Sequence, residues 1–369
     1  MVKLSNGRAL PIIQQKKTMK KSLQFLIILA AVIMMLPVNS NAQDTHFSQY
    51  NASPMLLNPA LAGLNAGDYR VYANFRTQWM TVSKGNTYRS FAGGADLTIG
   101  KVTKYNSFAG IGLSFVSDQA GDIHLNTNSI QLTPAYHFML NHKGTQQISA
   151  GLQVGFNIRT IDPSRAIFDS QYDPGTGVIN TTGGESFGRT KVMYIDAGIG
   201  LLYNGIFKNE TQFFIGCGLS HVNQPKISFL PSGVTTEKQS LQRLAMKTTI
   251  HGGMSIRLSS RIALMPNFLI LVQGASQEFN IGCHLRTTVG NIKMSKTALY
   301  FGAQYRGLKD AVIVSGRMDI KGFTVGLSYD VNISKLIPAS KTIGAPEVSL
   351  MYQGAFNKKP RPGYCPAMF

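Results

Sequence analysis

From about residue 68 onward, apolar and polar positions alternate one by one along the chain. In 146–159, Ile148, Ala150, Leu152, Val154, Phe156 and Ile158 face one way, and Ser149, Gly151, Gln153, Gly155, Asn157 and Arg159 face the other. In 322–332, Phe323, Val325, Leu327, Tyr329 and Val331 alternate with Thr324, Gly326, Ser328, Asp330 and Asn332. Period 2 is the signature of a strand with two unlike faces. Repeated over segments of about ten residues, apolar outside and polar or glycine inside, it is the signature of a transmembrane barrel. The pattern predicts fourteen strands: 68–79, 87–99, 105–116, 125–138, 146–159, 191–204, 211–220, 244–258, 261–272, 276–289, 297–306, 311–318, 322–332 and 346–356. The fold class is therefore all-β, an antiparallel barrel of the bacterial outer membrane. The three longest connections, 160–190, 221–243 and 333–345, are the fifth, seventh and thirteenth, all odd. Outer-membrane barrels have short periplasmic turns and longer outer loops, so this parity places the odd connections outside.

Ahead of the barrel, Met19-Lys20-Lys21 precedes a mostly apolar run from Leu23 to Leu36, which Pro37 breaks and Ser40-Asn41-Ala42 follows. Fourteen residues are too few to cross about 30 Å of hydrocarbon as a helix. A basic stretch, an apolar run and small residues at the cut predict a signal peptide cleaved after Ala42. The first eighteen residues are an extension of it, with Met1 and Met19 both open as the start. Organisation follows: 1–42 leader, 43–67 a segment at the periplasmic side or plugging the lumen, 68–356 barrel, and 357–369 a basic periplasmic tail.

Composition agrees with alternation between lipid and water. Only 14% of residues are charged and mean hydropathy is +0.00, whereas soluble domains carry roughly 25% charged residues. Of a formal charge of +19, the leader removes six bases (Lys3, Arg8, Lys16, Lys17, Lys20, Lys21), leaving 19 − 6 = +13. The even-numbered turns and the tail hold eleven bases against Glu210 and Asp319. The odd connections hold nine bases against eight acids. A basic periplasmic face suits an acidic partner. The candidate docking residues are Lys358, Lys359, Arg361 and Tyr364 of the tail, with Lys101, Lys104, Lys293 and Lys296 of the turns.

Two stretches behind the leader carry a resemblance: Phe47-Ser48-Gln49-Tyr50 within 43–50, then Asn58-Pro59-Ala60-Leu61-Ala62-Gly63. Asn74-Phe75-Arg76-Thr77-Gln78-Trp79 follows, and near the other end stand Tyr305-Arg306-Gly307, Gly326 to Asn332 and Glu347 to Leu350. Together they resemble the PorP/SprF family of type IX secretion system membrane proteins of Bacteroidetes. The motif residues are Phe47, Ser48, Gln49, Tyr50, Asn58, Pro59, Ala60, Gly63, Arg76 and Trp79. The resemblance implies an outer-membrane barrel that assists export of cargo bearing a C-terminal secretion signal, gliding adhesins included. It also implies contact with periplasmic components of that system, and it assigns no catalytic residue.

The residues themselves offer no enzyme. Seven histidines are scattered without metal-ligand spacing, and the zinc pattern of close Cys and His pairs is missing. No nucleophile-elbow serine or phosphate-binding glycine loop occurs, so neither cofactor nor metal is expected. Nucleic acid is not an expected partner of an exported barrel; lipid is. Two alternatives stay open, a general porin or solute channel and, behind it, an outer-membrane hydrolase built across strands.

Overall fold

The computed structural model describes residues 44–80, 87–101, 107–141, 144–168, 171–179, 188–207, 211–229, 243–290, 297–307, 310–335, 337–340 and 342–356. Fourteen strands close into one antiparallel barrel: β1 (Tyr69–Gln78), β2 (Tyr88–Lys101), β3 (Phe108–Ala120), β4 (Leu125–Met139), β5 (Gln146–Thr160), β8 (Lys191–Ile206), β9 (Gln212–Ser220), β10 (Lys247–Arg257), β11 (Ile262–Gln273), β12 (Ser276–Val289), β13 (Thr297–Arg306), β14 (Ala311–Ile320), β15 (Phe323–Asn332) and β16 (Pro346–Gly354). The intervening β6 (Tyr172–Asp173) and β7 (Val178–Ile179) form a separate hairpin inside the fifth connection. Each barrel strand pairs with its chain neighbour, and β1 closes on β16 from Tyr69↔Gly354 to Arg76↔Glu347. Closure leaves no unpaired edge, which is what lets strands cross hydrocarbon.

The expected strands are all present, with shifted ends that have local causes. β3 runs on to Ala120 because Ser117 to Ala120 pair with Asn128 to Leu125. β10 starts only at Lys247, since the Leu244 N–H instead donates to the Pro225 carbonyl, 2.9 Å. β16 stops at Gly354 where the Phe356 N–H turns to the Asp68 carboxylate, 2.6 Å. Pro134 and Pro266 stand inside β4 and β11 although proline cannot donate to a ladder. Each interrupts pairing on one side only, between Leu132 and Ala135 toward β5 and between Gly253 and Ile256 toward β11. The Lys321-Gly322 turn has φ of 48° and 95°, the doubly left-handed geometry that joins twisted strands in two residues.

Alternation sorts the wall into two faces. Ile148, Leu152, Phe156, Ile195, Ile199 and Phe323 are exposed on the outside, whereas Gln153, Asn157 and Asp330 are buried inside. Leu152 is 58% exposed and its neighbour Gln153 only 7%. A lipid-facing leucine gains nothing by hiding, and an inward glutamine needs a partner. Something must therefore fill the interior. That filling is residues 44–67, in three short turns, Tyr50–Ala52, Pro54–Leu57 and Pro59–Leu61. Met55, Ala60, Leu61 and Ala62 are fully buried. They form the apolar core together with inward residues such as Tyr72, Leu202, Phe214, Met265 and Tyr300.

Candidate functional site: the luminal strap and its seat

One end of the barrel, here the base, is where β1 begins and β16 finishes. The opposite end, the mouth, carries the odd connections. The first residues of 44–67 meet partners at the mouth and the last meet partners at the base, so this strap crosses the lumen.

Over its second half the strap is held by shape. The inward faces of β3, β5, β8 and β9 present Gly110, Gly112, Gly151, Gly200, Gly216 and Gly218. A Cβ on Gly110 would lie 2.0 Å from the Ala62 carbonyl oxygen, and one on Gly151 2.3 Å from the Pro59 carbonyl carbon. Glycine in these strands is what lets another backbone approach closely. Gly63 turns there with φ of 73° against the Gly110 Cα. Asn58 joins strap to wall. Its Oδ1 accepts from the Ala60 N–H at 2.9 Å, capping the Pro59–Leu61 turn, as asparagine before a helical turn does. Its Nδ2 donates to the Leu201 and Cys217 carbonyls of β8 and β9, 2.9 and 3.3 Å. Arg70 and Asp96 form a fully buried pair, Nε to Oδ1 at 2.8 Å. Arg70 Nη2 also donates to the Leu61 carbonyl at 3.0 Å, and the Gly63 N–H donates to Asp96 Oδ2 at 2.6 Å. The wall thus reads the strap's backbone with both signs of charge.

Toward the mouth the strap is held by ions. The Ser48 and Gln49 N–H groups donate to the two oxygens of Glu347, 2.7 and 2.9 Å. Ser48 Oγ donates to Asp330 at 2.7 Å and accepts from Arg306 Nη2 at 2.8 Å. Arg76 reaches Asp330 at 2.7 Å and donates to the His46 carbonyl at 2.6 Å. Arg306 adds Asp330 at 3.0 Å and Glu278 at 3.4 Å. Charges so far from water persist only when paired and hydrogen-bonded, and here the strap completes the pairing. Its first described residue, Asp44, lies 2.5 Å from His221 Nε2 and 3.1 Å from Lys247 Nζ. His221 Nδ1 meets Asp196 at 2.8 Å. Burial opposes charge on this imidazole, but Asp44 and the hydrogen bond to Asp196 overcome it and push His221 up to about 9. Burial likewise opposes the Asp44 carboxylate, and Lys247 and His221 nevertheless hold it well below the usual carboxylate range.

Nine of the ten motif residues gather on this strap or against it: Phe47, Ser48, Gln49, Tyr50, Asn58, Pro59, Ala60, Gly63 and Arg76. The Tyr50 hydroxyl donates to Asn267 at 2.6 Å. Trp79 instead lies beyond β1 at the mouth, with φ of 61°, beside a cavity of about 530 Å³ floored by Asp44, Thr45 and His46. Of the docking candidates, Lys101 ends β2 at the base. Lys104, Lys293, Lys296, Lys358, Lys359, Arg361 and Tyr364 lie outside the described residues. Sequence reasoning singled out Asp330 as luminal but missed its network with Glu278, Arg306 and Glu347, and the separate pair of Arg70 with Asp96. Their mark was a full charge at an inward position of a strand.

No curated protein matches the chain. Among solved structures it is similar to the toluene transporter TbuX of Ralstonia pickettii, with 9% identity over 81% of this chain and 92% of that one, TM-score 0.49. It is also similar to a FadL homologue of Pseudomonas aeruginosa, with 9% identity over 77% and 90% and TM-score 0.41. A third likeness is to the β domain of the Bordetella autotransporter BrkA, with 12% identity over 78% and 100% and TM-score 0.36. A family model for the type IX secretion system membrane protein PorP/SprF matches residues 39–352, nearly the whole barrel and its strap. With that match, and an outer-membrane barrel around a strap built of the motif residues, the chain belongs to the PorP/SprF family.

Proposed function

We propose that the protein serves type IX secretion as a docking barrel rather than as a conduit. It resides in the outer membrane, reached through a signal peptide cleaved after Ala42, with its base in the periplasm and its mouth outside. There it assists export or surface attachment of cargo bearing a C-terminal secretion signal, gliding adhesins among them, by binding periplasmic components of the system. It carries no catalytic residue in this reading. The observation that supports docking over conduction is the strap. A porin needs an open, water-filled lumen, and here Met55, Ala60, Leu61 and Ala62 fill it with wholly buried side chains.

Docking is assigned to the base. β16 ends there at Gly354, ahead of the candidates Lys358, Lys359, Arg361 and Tyr364, and the even connections, to which Lys101, Lys104, Lys293 and Lys296 belong, join strands at the same end. The experiment reverses Lys358, Lys359 and Arg361 to Glu. Barrel insertion, followed by heat-modifiable gel mobility, should persist while co-purification of periplasmic components and the secreted-protein profile decline. Normal export with every partner retained would remove the tail from the docking site. Conductance of the purified barrel in planar bilayers, expected near background, tests the other half of the reading.

A further inference from the structure

The order of contacts along the strap has a topological consequence. Gly67 packs on Gly354, and the Ala66 N–H donates to Gln353 at 3.0 Å, both at the base. Asn58 joins mid-wall positions of β8 and β9. Ser48 and Gln49 meet Glu347, the second residue of β16, near the mouth. The Asp44 N–H donates to Gln273, the last residue of β11, at 2.8 Å, and the Asp44 carboxylate meets His221, the first residue past β9. The two ends of the strap thus sit at opposite ends of the lumen. Above Asp44, Thr45 and His46 opens the mouth cavity, walled by Trp79, Asp310 and Ile343 of three odd connections.

We infer that the mature amino terminus emerges through the mouth of the barrel, on the cell surface, while the carboxyl-terminal tail leaves through the base. Cleavage after Ala42 leaves Gln43 alone ahead of Asp44, so a thin, free chain end is all that must pass the lumen. The two ends of the chain then lie on opposite sides of the membrane. This rests on the outward orientation of the odd connections proposed above, and the test keeps the two claims apart.

The test uses the full chain with Cys217, Cys283 and Cys365 replaced by Ser and one new thiol at a time. The three positions are Gln43→Cys, Gly175→Cys in the hairpin of the fifth connection, and Phe369→Cys in the tail. A membrane-impermeant maleimide is applied to intact and to permeabilised cells. Gln43→Cys and Gly175→Cys should label in intact cells, and Phe369→Cys only after permeabilisation. Labelling of Gly175→Cys with Gln43→Cys silent until permeabilisation would overturn the inference and leave the orientation standing. Labelling of Phe369→Cys but not Gly175→Cys in intact cells would overturn the orientation, and the inference with it. Should the Ser replacements prevent folding, a ten-residue epitope placed after Ala42 in the native chain, read by antibody on intact cells, decides the same question.

Discussion

The two halves of the strap are held by different physics. From Asn58 to Gly67 it lies on a shelf of glycines, fixed by backbone contact and one isolated buried pair, Arg70 with Asp96. From Asp44 to Gln49 it is fixed by a shared network of Arg76, Arg306, Glu278, Asp330 and Glu347, then by Asp44, His221 and Lys247 at the mouth. Shape tolerates no added atom and ignores pH. Charge tolerates small shifts and answers to protons. The strap is therefore clamped at its base and latched at its mouth.

Four experiments sharpen or break this contrast, and the largest effect falls on the base. Arg70→Ala leaves Asp96 buried without its cation, and breaking a buried pair costs about 3–5 kcal/mol. The urea midpoint for loss of the heat-modifiable form should fall accordingly; an unchanged midpoint would mean that the lower half is not clamped there. Gly110→Ala adds only a Cβ, yet against the Ala62 carbonyl, so a loss of about 1–3 kcal/mol is expected from overpacking. Gly316→Ala meets open space and should match the parent in the same unfolding series. Ser48→Ala removes one donor and one acceptor from the mouth network, at about 1.5 kcal/mol for hydrogen bonds to charged groups. The loss should show as faster proteolysis at the amino end, with the base still protected.

The smallest effect is the response of the latch to pH. His221 has its folded pKa raised from 6.5 to about 9. A raised pKa contributes stability that is complete below 6.5 and is lost as pH rises through about 9. Asp44, held low, contributes above its ordinary 3.8 and loses its contribution as pH falls through the depressed value. Because every thiol ionises over this range, the rate is read relative to Gly175→Cys: that ratio for Gln43→Cys should rise between pH 7 and 9.5, and His221→Ala should flatten it. Equal pH dependence in the variant would assign the latch to other groups.

Much of the barrel was legible because period 2 is a local signal. Ile148 to Ile158 alternate over consecutive residues, and the structure keeps every one of the fourteen strands so read. The strap was not legible in the same way. Residues 44–67 have no sustained period, and their three turns are only three or four residues each. The hairpin of β6 and β7 went unread because two-residue strands carry no pattern. The ionic seat was half legible. Arg76 and Asp330 each stand at an inward position, but they pair across 254 residues, and nothing local says which distant charge answers which. The motif residues were found by resemblance; in the structure nine of the ten lie on the strap or against it, and Trp79 stands apart at the mouth.

The grip on the strap also divides by position in the chain. The clamp draws mostly on β1 to β9, through Arg70, Asp96, Gly110, His137, Gly151, Gly200 and Gly218, with Gln353 and Gly354 of β16 added at Ala66 and Gly67. The latch and its network draw mostly on residues after β9, His221, Lys247, Gln273, Arg306, Asp330 and Glu347, joined by Asp196 of β8 and Arg76 of β1. Even the Asp68 carboxylate at the base is met only when Phe356 arrives. Most of the wall that receives Asn58 to Gly63 lies in the first seven barrel strands, whereas the ionic seat needs the last ones. The seam of β1 with β16 is the one pairing of the barrel that joins the two ends of the chain, and the strap runs from it, with Ala66 and Gly67 set against Gln353 and Gly354.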